Sequence, residues 1–378
     1  MGDRPLPAAT MRAMNTGAAC PVPIHTPWQW SVPPALLLML LAMVLSLLPV
    51  DGVRAELVLD LYTARLPVAD RGNATRAAAR REGLRQVLVK ASGQSVGLGH
   101  SAIQNALGQP QSYLLGYSYE EQDAQITLRL SYDEIAVQRL LREAALPLWT
   151  ANRPPVLAWL VVSDGSRRRF VSGEELPDAA MTLGEEFQQR GVPLQLPLYD
   201  LTDTRILSPG EAWRQSSMAI IGASQRYGDA RVLAGRVAIL SDGSWLGDWR
   251  FLDAGRWVSR SVSVDSFAAF AQSGAALAAE TLAGRYAVVG QGEADLRHLI
   301  ILRGVRNYDD FSAIYAVLNG LESVARVVPE QLLGDRVNLR LDSQAGLAQL
   351  ARIIELDARF VPSPQLSAEP VLNYEWMP

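Results

Sequence analysis

Side chains that could perform catalysis are few in this chain of 378 amino acids. Its only cysteine is Cys20, its only lysine is Lys90, and beyond residue 55 it has two histidines, His100 and His298. Zinc sites need histidine, cysteine or carboxylate ligands at short spacings, and no His-x-x-x-His pair occurs. We therefore expect no metal site, no disulfide and almost no lysine chemistry.

Three motifs of known chemistry are absent or incomplete. Residues 222–226 depart from the Gly-x-Ser-x-Gly elbow of serine hydrolases at the last position, Arg226. No glycine-rich phosphate loop precedes Lys90. The glycine-rich segment 97–102 follows a predicted helix rather than a strand, so it lacks the frame of a dinucleotide site. These observations predict a protein that is not an enzyme and that has no cofactor.

One aromatic group could bind a ligand. Trp245, Trp249 and Phe251 fall on one face of a predicted strand, and Trp257 lies on the next strand. If exposed, the three tryptophans could contact a protein partner or stack on the sugar rings of a glycan. Burial under helices is favoured, because sheet faces must be covered. The acids that could act in glycan hydrolysis are Asp242, Asp248 and Asp253.

The charge of the chain restricts its partners. The formal net charge is −4, whereas nucleic-acid-binding proteins present basic surfaces, so no nucleic-acid partner is expected. The densest positive run is three arginines at residues 167–169. Three positive charges are too few for stable attachment to an anionic membrane. This run is predicted to be a solvated loop.

The first 55 residues have the pattern of an export signal. Arg4 and Arg12 precede an apolar run at residues 35–50, and the small-x-small pattern at 53–55 predicts cleavage after Ala55. Cleavage would place the remaining chain in the periplasm. The run is shorter than the roughly 20 residues that span a bilayer comfortably. The alternative is an uncleaved inner-membrane anchor facing the periplasm, and then this segment alone would touch the membrane.

A first β-α-β-β-α unit is predicted at residues 56–150. Its opening strand covers residues 56–65, and Asn73 can cap a helix that ends at Gly93, a residue suited to the left-handed conformation. The remaining elements are a helix near residues 101–107, strands at 116–121 and 125–132, and a helix after a capping box of Ser131 and Glu134.

A second α/β unit is predicted at residues 151–290, after the proline-rich joint at 151–155. Residues 156–162 form a continuous apolar run, typical of a strand buried on both faces. A helix opened by Thr182 with Glu185 and closed by Gly191 comes next, followed by an edge strand at 192–198 and a helix opened by Ser208 with Glu211. An antiparallel meander is then predicted at 231–240, 245–252 and 257–264. The last element is a helix capped by Asp265, in which Gly274 packs closely on the sheet.

A third unit, residues 291–361, repeats the β-α-β-β-α order without recognisable residue identity to the first. Residues 362–378 are predicted to be a loose tail. The fold class expected for the whole chain is therefore α/β (α+β), with several small mixed modules and an antiparallel meander after the signal segment.

Three segments resemble a known family. They are residues 61–70 (LYTARLPVAD), residues 77–93 with QVLVKASG, and residues 233–237 (LAGRV) beside the tryptophan-rich meander. On these segments the chain resembles the bacterial domain-of-unknown-function family 2066 over nearly all of its length after the signal. That resemblance implies no established activity and no site residues.

The middle unit also resembles periplasmic modules in the order of its elements. These are the TolB amino-terminal domain, the curli secretion channel protein and penicillin-binding-protein activator lipoproteins, and the first unit resembles small domains of the flagellar T-ring. Such modules bind proteins, and a likeness of fold raises this expectation without fixing a function.

The sequence therefore predicts a noncatalytic periplasmic adaptor or assembly factor with an envelope protein as its partner. Its candidate contact residues are Trp245, Trp249 and Trp257. The alternative is a cell-wall protein that binds or hydrolyses glycan through the same meander.

Overall fold

Helices and strands alternate in several small sheets, which confirms the predicted α/β fold class. Ala55 and the apolar run at 35–50 lie outside the described residues, so cleavage and export stay predictions. Across the described ranges, no helix is long and apolar enough to cross a membrane. The computed structural model describes residues 56–58, 60–95, 97–122, 125–228, 231–289, 296–364 and 370–378.

The first sheet has three antiparallel strands and is covered by helices. The elements of this part are β1 (Glu56–Leu57), β2 (Thr63–Val68), α1 (Asn73–Ser92), α2 (Ser101–Gly108), β3 (Leu114–Gln122), β4 (Gln125–Tyr132) and α3 (Glu134–Glu143). The strand order is β2-β4-β3. Leu84, Val87 and Leu88 of α1 are buried against the sheet, and Gly93 ends α1 at φ +70°, as predicted.

Two predictions in this part are wrong. The strand expected over residues 56–65 is interrupted: β1 ends at Leu57 and β2 begins at Thr63, because residues 60–62 turn and the Thr63 amide donates to the Asp60 carbonyl. The capping box of Ser131 and Glu134 does not form, since Ser131 still pairs within β4. Asp133 caps α3 instead, and its side chain accepts from the Ala136 amide at 3.1 Å.

The second sheet has six strands, in the order β11-β10-β9-β6-β7, with β8 beside the first half of β6. Its elements, with the short β5 that pairs with β1, are β5 (Asn152–Arg153), β6 (Val156–Ser163), β7 (Arg168–Phe170), α4 (Pro177–Arg190), β8 (Leu194–Gln195), α5 (Leu201–Ile206), α6 (Pro209–Trp213), α7 (Ser217–Ser224), β9 (Arg231–Ile239), β10 (Trp245–Asp253), β11 (Arg256–Val264) and α8 (Phe267–Tyr286).

Helices cover both faces of this sheet. One face packs on α4 and α8, and the other packs on α6 and α7. Residues 156–162 of β6 are consequently all buried, which confirms that this apolar run is a strand covered on both faces. The meander β9-β10-β11 also forms as predicted.

The helix ends of this unit confirm one predicted cap and correct two. Ser208 and Glu211 form the predicted capping box. Helix α4 begins at Pro177, so Thr182 lies inside the helix and donates its hydroxyl to the Asp178 carbonyl. Helix α8 is capped by Ser266, rather than by the preceding aspartate, through a bond from the Ala269 amide.

The third sheet has five strands, in the order β13-β14-β12-β16-β15. Its elements are β12 (Leu296–Arg303), α9 (Tyr308–Asn319), β13 (Val324–Leu333), β14 (Arg336–Ser343), α10 (Leu347–Ile354), β15 (Phe360–Pro362) and β16 (Leu372–Trp376). The first five follow the predicted β-α-β-β-α order. One face of the sheet packs on α9 and α10.

The predicted loose tail is wrong for the residues that are described there. Strand β16 inserts beside β12 in parallel and pairs with β15 on its other side. Leu372, Tyr374 and Trp376 alternate along β16 and are buried. This burial of large side chains holds the carboxy-terminal strand in the sheet.

Candidate functional site

Trp249 lies in the core of the meander rather than on its surface. Its side chain is 0% exposed, and its ring stacks on Phe270 with centroids 4.6 Å apart. Its Nε1 donates to the Phe270 carbonyl at 3.0 Å. Because the residue is enclosed between the sheet and α8, the prediction that it contacts a partner is wrong.

The other two candidate tryptophans lie on opposite faces of the sheet. Trp245 is half-buried on the α8 face, where its ring packs on Phe267. Trp257 is the register partner of Leu252 and packs on the other face, with Arg250 4.6 Å from its ring centroid. Side chains alternate between the faces of a strand, so the three tryptophans do not form one surface.

The acids that the glycan hypothesis requires are each engaged within the chain. Asp248 forms an ion pair with Arg236 at 2.9 Å, and Asp253 forms one with Arg285 at 3.1 Å. Asp242 accepts two bonds from Ser244 in its own hairpin turn. The meander therefore offers neither the aromatic platform nor the unengaged acids that this hypothesis assumed.

The two histidines beyond residue 55 have local roles. His100 caps α2 by accepting from the Ala102 amide at 3.3 Å, and the His298 ring bonds the Ala345 carbonyl at 2.9 Å. Among the described residues, no group of three histidine, cysteine, aspartate or glutamate side chains could hold a metal ion.

A cleft of about 580 Å³ lies between the first sheet and α4. One wall contains Asp60, Arg65 and Lys90, and the other is built from α4, including Gly184, and from β8. This volume falls within the range of about 300–1,000 Å³ that is usual for ligand pockets. A second cleft of about 320 Å³ also includes Arg65 and Lys90, so these residues border both spaces.

Lys90 is the most unusual residue of the cleft. Its side chain is 6% exposed, and its Nζ donates to the carbonyls of Thr63 at 2.9 Å and Asp60 at 3.2 Å. Burial lowers the pKa of Lys90 to about 8, and the nearby positive charge of Arg153 acts in the same direction. The ammonium is therefore held by neutral carbonyls in a place where its charge is costly.

Asp60 does not neutralise Lys90 through an ion pair. Its carboxylate pairs with Arg65 at 2.9 Å and with Arg129 at 3.4 Å. The hydrogen bond from Arg65 lowers the pKa of Asp60, so the carboxylate stays charged and bound to the guanidinium groups. The cleft wall consequently carries more positive than negative charge, although the chain as a whole is acidic.

Strand β8 presents an open edge to the cleft. Leu194 is the parallel register partner of Val156, and the Val156 amide donates to the Pro193 carbonyl. In this register the main-chain groups of Gln195 point toward β6, so those of Leu194 and Leu196 point away from it. Among the described strands, β6 alone pairs with β8. The outer row of amides and carbonyls is therefore available to a further strand.

Arg153 fixes the two walls of the cleft to each other. It is 0% exposed, and its guanidinium lies 3.9 Å from the centroid of the Trp149 ring. Five carbonyls accept its hydrogen bonds at 2.8–3.1 Å, and they belong to Lys90, Trp149, Thr150, Arg190 and Gly191. Lys90 and Arg190 stand in the last turns of α1 and α4, where helix carbonyls lack intrahelical partners and favour a cation.

Sequence patterns did not predict this site, although some signals were present. No glycine-rich phosphate loop precedes Lys90, and its position among the apolar residues of α1 is compatible with burial. Pro193 and Pro197 did indicate an edge strand, although the predicted seven-residue strand shrinks to Leu194–Gln195. Prolines cannot donate to a neighbouring strand, which limits the length of β8.

Glu322 occupies a separate cavity of about 70 Å³ near Gln138, Thr150 and Ser323. Its Oε1 accepts a long bond of 3.4 Å from the Ala151 amide, and its Oε2 is buried without a hydrogen-bond partner among the described residues. Burial raises the pKa of Glu322 to about 7, and only part of this effect is offset by the Ala151 amide.

We expect Glu322→Gln to make the protein more stable at alkaline pH. The folded pKa of about 7 lies above the ordinary value of 4.5, so the contribution of Glu322 is fully present below pH 4.5 and is lost as pH rises through 7. The amide stays neutral, so the variant should gain about 2 kcal/mol over the wild type at pH 8. Urea unfolding at pH 5 and pH 8 measures this difference.

The exposed Glu174→Gln is the control and should change the free energy of unfolding by less than about 0.5 kcal/mol at either pH. An equal effect of Glu322→Gln at the two pH values would contradict the assignment of a raised pKa.

Parts of the chain are similar to known proteins. A family model described as a domain of unknown function, DUF8605, matches residues 55–150, which is a different family from the one that the sequence resembles. No curated protein matches. Among solved structures, the chain is similar to one titled "Crystal structure of uncharacterized protein", with 11% identity and a TM-score of 0.17. That match covers 35% of this chain and 90% of the other.

Proposed function

We propose that this chain is a noncatalytic adaptor or assembly factor of the bacterial envelope, and that it binds an extended segment of a protein partner along β8. The export pattern of the first 55 residues supports a periplasmic location, with an uncleaved inner-membrane anchor as the alternative. The family 2066 resemblance is part of the same proposal and adds no activity to it.

The observation that carries the proposal is the open edge of β8 inside a cleft. A strand that binds there would receive main-chain hydrogen bonds from Leu194 and Leu196, which is the mode called β-augmentation. Their half-buried side chains and the adjacent surface of α4 would contact side chains of the partner. Such binding needs no catalytic group.

The polar groups of the cleft support a binding role rather than catalysis. Asp60 is held by two arginines, and Lys90 is held by two carbonyls. None of these contacts joins a nucleophile to a general base, which is the arrangement that nucleophilic catalysis requires.

We expect Gly184→Trp to abolish partner binding while leaving the fold intact. A Cβ on Gly184 would meet no neighbouring atom within 4 Å, so the indole enters the cleft rather than the core. Gly284→Trp is the matched control, because Gly284 is also helical and open to space, is exposed, and does not border the cleft. In-cell crosslinking of tagged proteins, followed by mass spectrometry, should recover one envelope protein with the wild type and Gly284→Trp only.

Hydrogen exchange of the purified complex then tests the mode of binding. The Leu194 and Leu196 amides should become protected when the partner binds, whereas the Gln195 amide, which faces β6, should change little. Equal recovery of the partner by the two tryptophan variants, or unchanged exchange at both leucines, would contradict binding along β8.

A further inference from the structure

Two buried cations stand side by side at the wall of the cleft. Arg153 donates to the Lys90 carbonyl at 2.8 Å, and its charge acts on the Lys90 ammonium. Within the described residues, neither group has a carboxylate oxygen within 4.0 Å, the limit for an ion pair. Buried charges in proteins are ordinarily paired directly, but here Asp60 acts on Lys90 and Glu322 acts on Arg153 only from beyond ion-pair distance, which needs an explanation.

The two cations differ in how completely they are bonded. All five N–H groups of the Arg153 guanidinium donate to backbone carbonyls: one bond from Nε and two from each terminal nitrogen. The Lys90 ammonium has three protons to donate, but it has only two acceptors in the described part of the chain, the carbonyls of Asp60 and Thr63. One N–H of Lys90 is therefore left without an acceptor in the described part of the chain.

The surroundings of Lys90 favour an anion over a neutral group. The charges that act on its ammonium come from Arg153, Asp60 and Arg65, and the single acid among them is already paired with Arg65. A carboxylate that enters the cleft would thus meet a net positive wall. It would accept a charge-assisted hydrogen bond, which is stronger than a bond between neutral groups.

We propose that the partner segment bound in this cleft presents a carboxylate, from an acidic side chain or a chain terminus, to the Lys90 ammonium. This inference rests on the proposed function, since it concerns the same cleft. It adds a chemical requirement to strand addition: one position of the partner must be anionic. The main-chain bonds at β8 would set the direction of the segment, and Lys90 would select its charge.

The single lysine makes a direct test possible with acetate as the probe. Labelling the full protein with carbon-13 lysine gives one side-chain Cε signal, because Lys90 is the only lysine. The pH dependence of that signal reports the pKa of Lys90. With increasing acetate we expect saturable shifts of the signal and a pKa that rises by about one unit, which corresponds to a tenfold preference of acetate for the ammonium form.

Acetamide and sodium chloride at matched ionic strength are the controls, and neither should change the pKa of Lys90. Gly184→Trp should weaken the acetate response, since the indole fills the cleft. An unchanged pKa in acetate, or an equal response to chloride, overturns the carboxylate proposal. Partner binding is measured separately by crosslinking, so it can fail while the acetate response persists, or persist while the acetate response fails.

Discussion

We expect Arg153→Met to lower the free energy of unfolding by about 4 kcal/mol. The substitution keeps the aliphatic stem but removes the donors to five main-chain carbonyls, four of them in buried contacts. A buried acceptor that loses its partner costs about 1–3 kcal/mol, and relaxation of the chain recovers part of the sum. The loss would be a large fraction of a typical total of about 5–15 kcal/mol.

Urea unfolding measures the effect, and Arg153→Lys tests its cause. Lysine keeps a positive charge but has three donors at one point, which cannot reach carbonyls on two helices and the intervening segment at once. We expect Arg153→Lys to lose at least half as much stability as Arg153→Met. If Arg153→Met fails to fold, the free energy of unfolding of Arg153→Lys still measures the contribution of the guanidinium contacts.

Arg297→Met is the control, since the side chain of Arg297 is 73% exposed and its pair with Asp342 is long at 3.9 Å. This change should stay within about 0.5 kcal/mol of the wild type. A comparable loss from Arg153→Met and Arg297→Met would show that the five carbonyl contacts do not hold the cleft walls together.

Arg153 also shows where sequence patterns stop being informative. The segment at residues 151–155 was predicted to be a joint between units, since its prolines exclude a helix. The acceptors of Arg153 are main-chain carbonyls, the most distant of them 63 residues away. Every residue has such a carbonyl, so the residue types at those positions do not predict the contact.

Local signals were reliable where the cause of the structure is local. Gly93 and Gly191 end their helices with positive φ, and Ser208 with Glu211 caps α6, because these effects involve only a few neighbouring residues. The same reasoning could have found β16, whose buried residues alternate with period two. Its parallel pairing with the distant β12 was not encoded locally, so the segment was predicted to be loose.

The candidate site was not predicted because exposure depends on tertiary packing. The period of β10 correctly placed Trp245 and Trp249 on one face, but it did not show that α8 covers that face. For the same reason, the sequence indicated that residues 192–198 form an edge without showing that a cleft lies beside them. Burial of Trp249 and accessibility of β8 are two outcomes of the same arrangement of helices.

Burial of Trp249 leads to a prediction in which two substitutions compensate each other. Trp249→Leu should lower the free energy of unfolding by about 3 kcal/mol, because it removes a fully buried ring and leaves a cavity under α8. Gly274→Ala should also destabilise the wild type, by about 1–3 kcal/mol, because the new Cβ would lie 2.5 Å from Cε2 of Trp249.

In the Trp249→Leu background, the sign of the Gly274→Ala effect should reverse. The added methyl group then occupies space that the indole has left, and alanine favours a helix over glycine by about 0.8–1.0 kcal/mol. The double variant should therefore be more stable than Trp249→Leu alone. Unfolding of the two single variants, the double variant and the wild type gives the coupling energy.

Gly284→Ala in the same helix separates packing from helix propensity. Because a Cβ on Gly284 would meet no neighbouring atom within 4 Å, this change should stabilise both backgrounds by the same amount. If Gly274→Ala behaves as Gly284→Ala does in both backgrounds, Trp249 does not press against α8, and its assignment to the core is wrong. A reversal of sign at Gly274 alone would establish that the indole packs on α8, and partner contacts would then have to be made elsewhere on the protein.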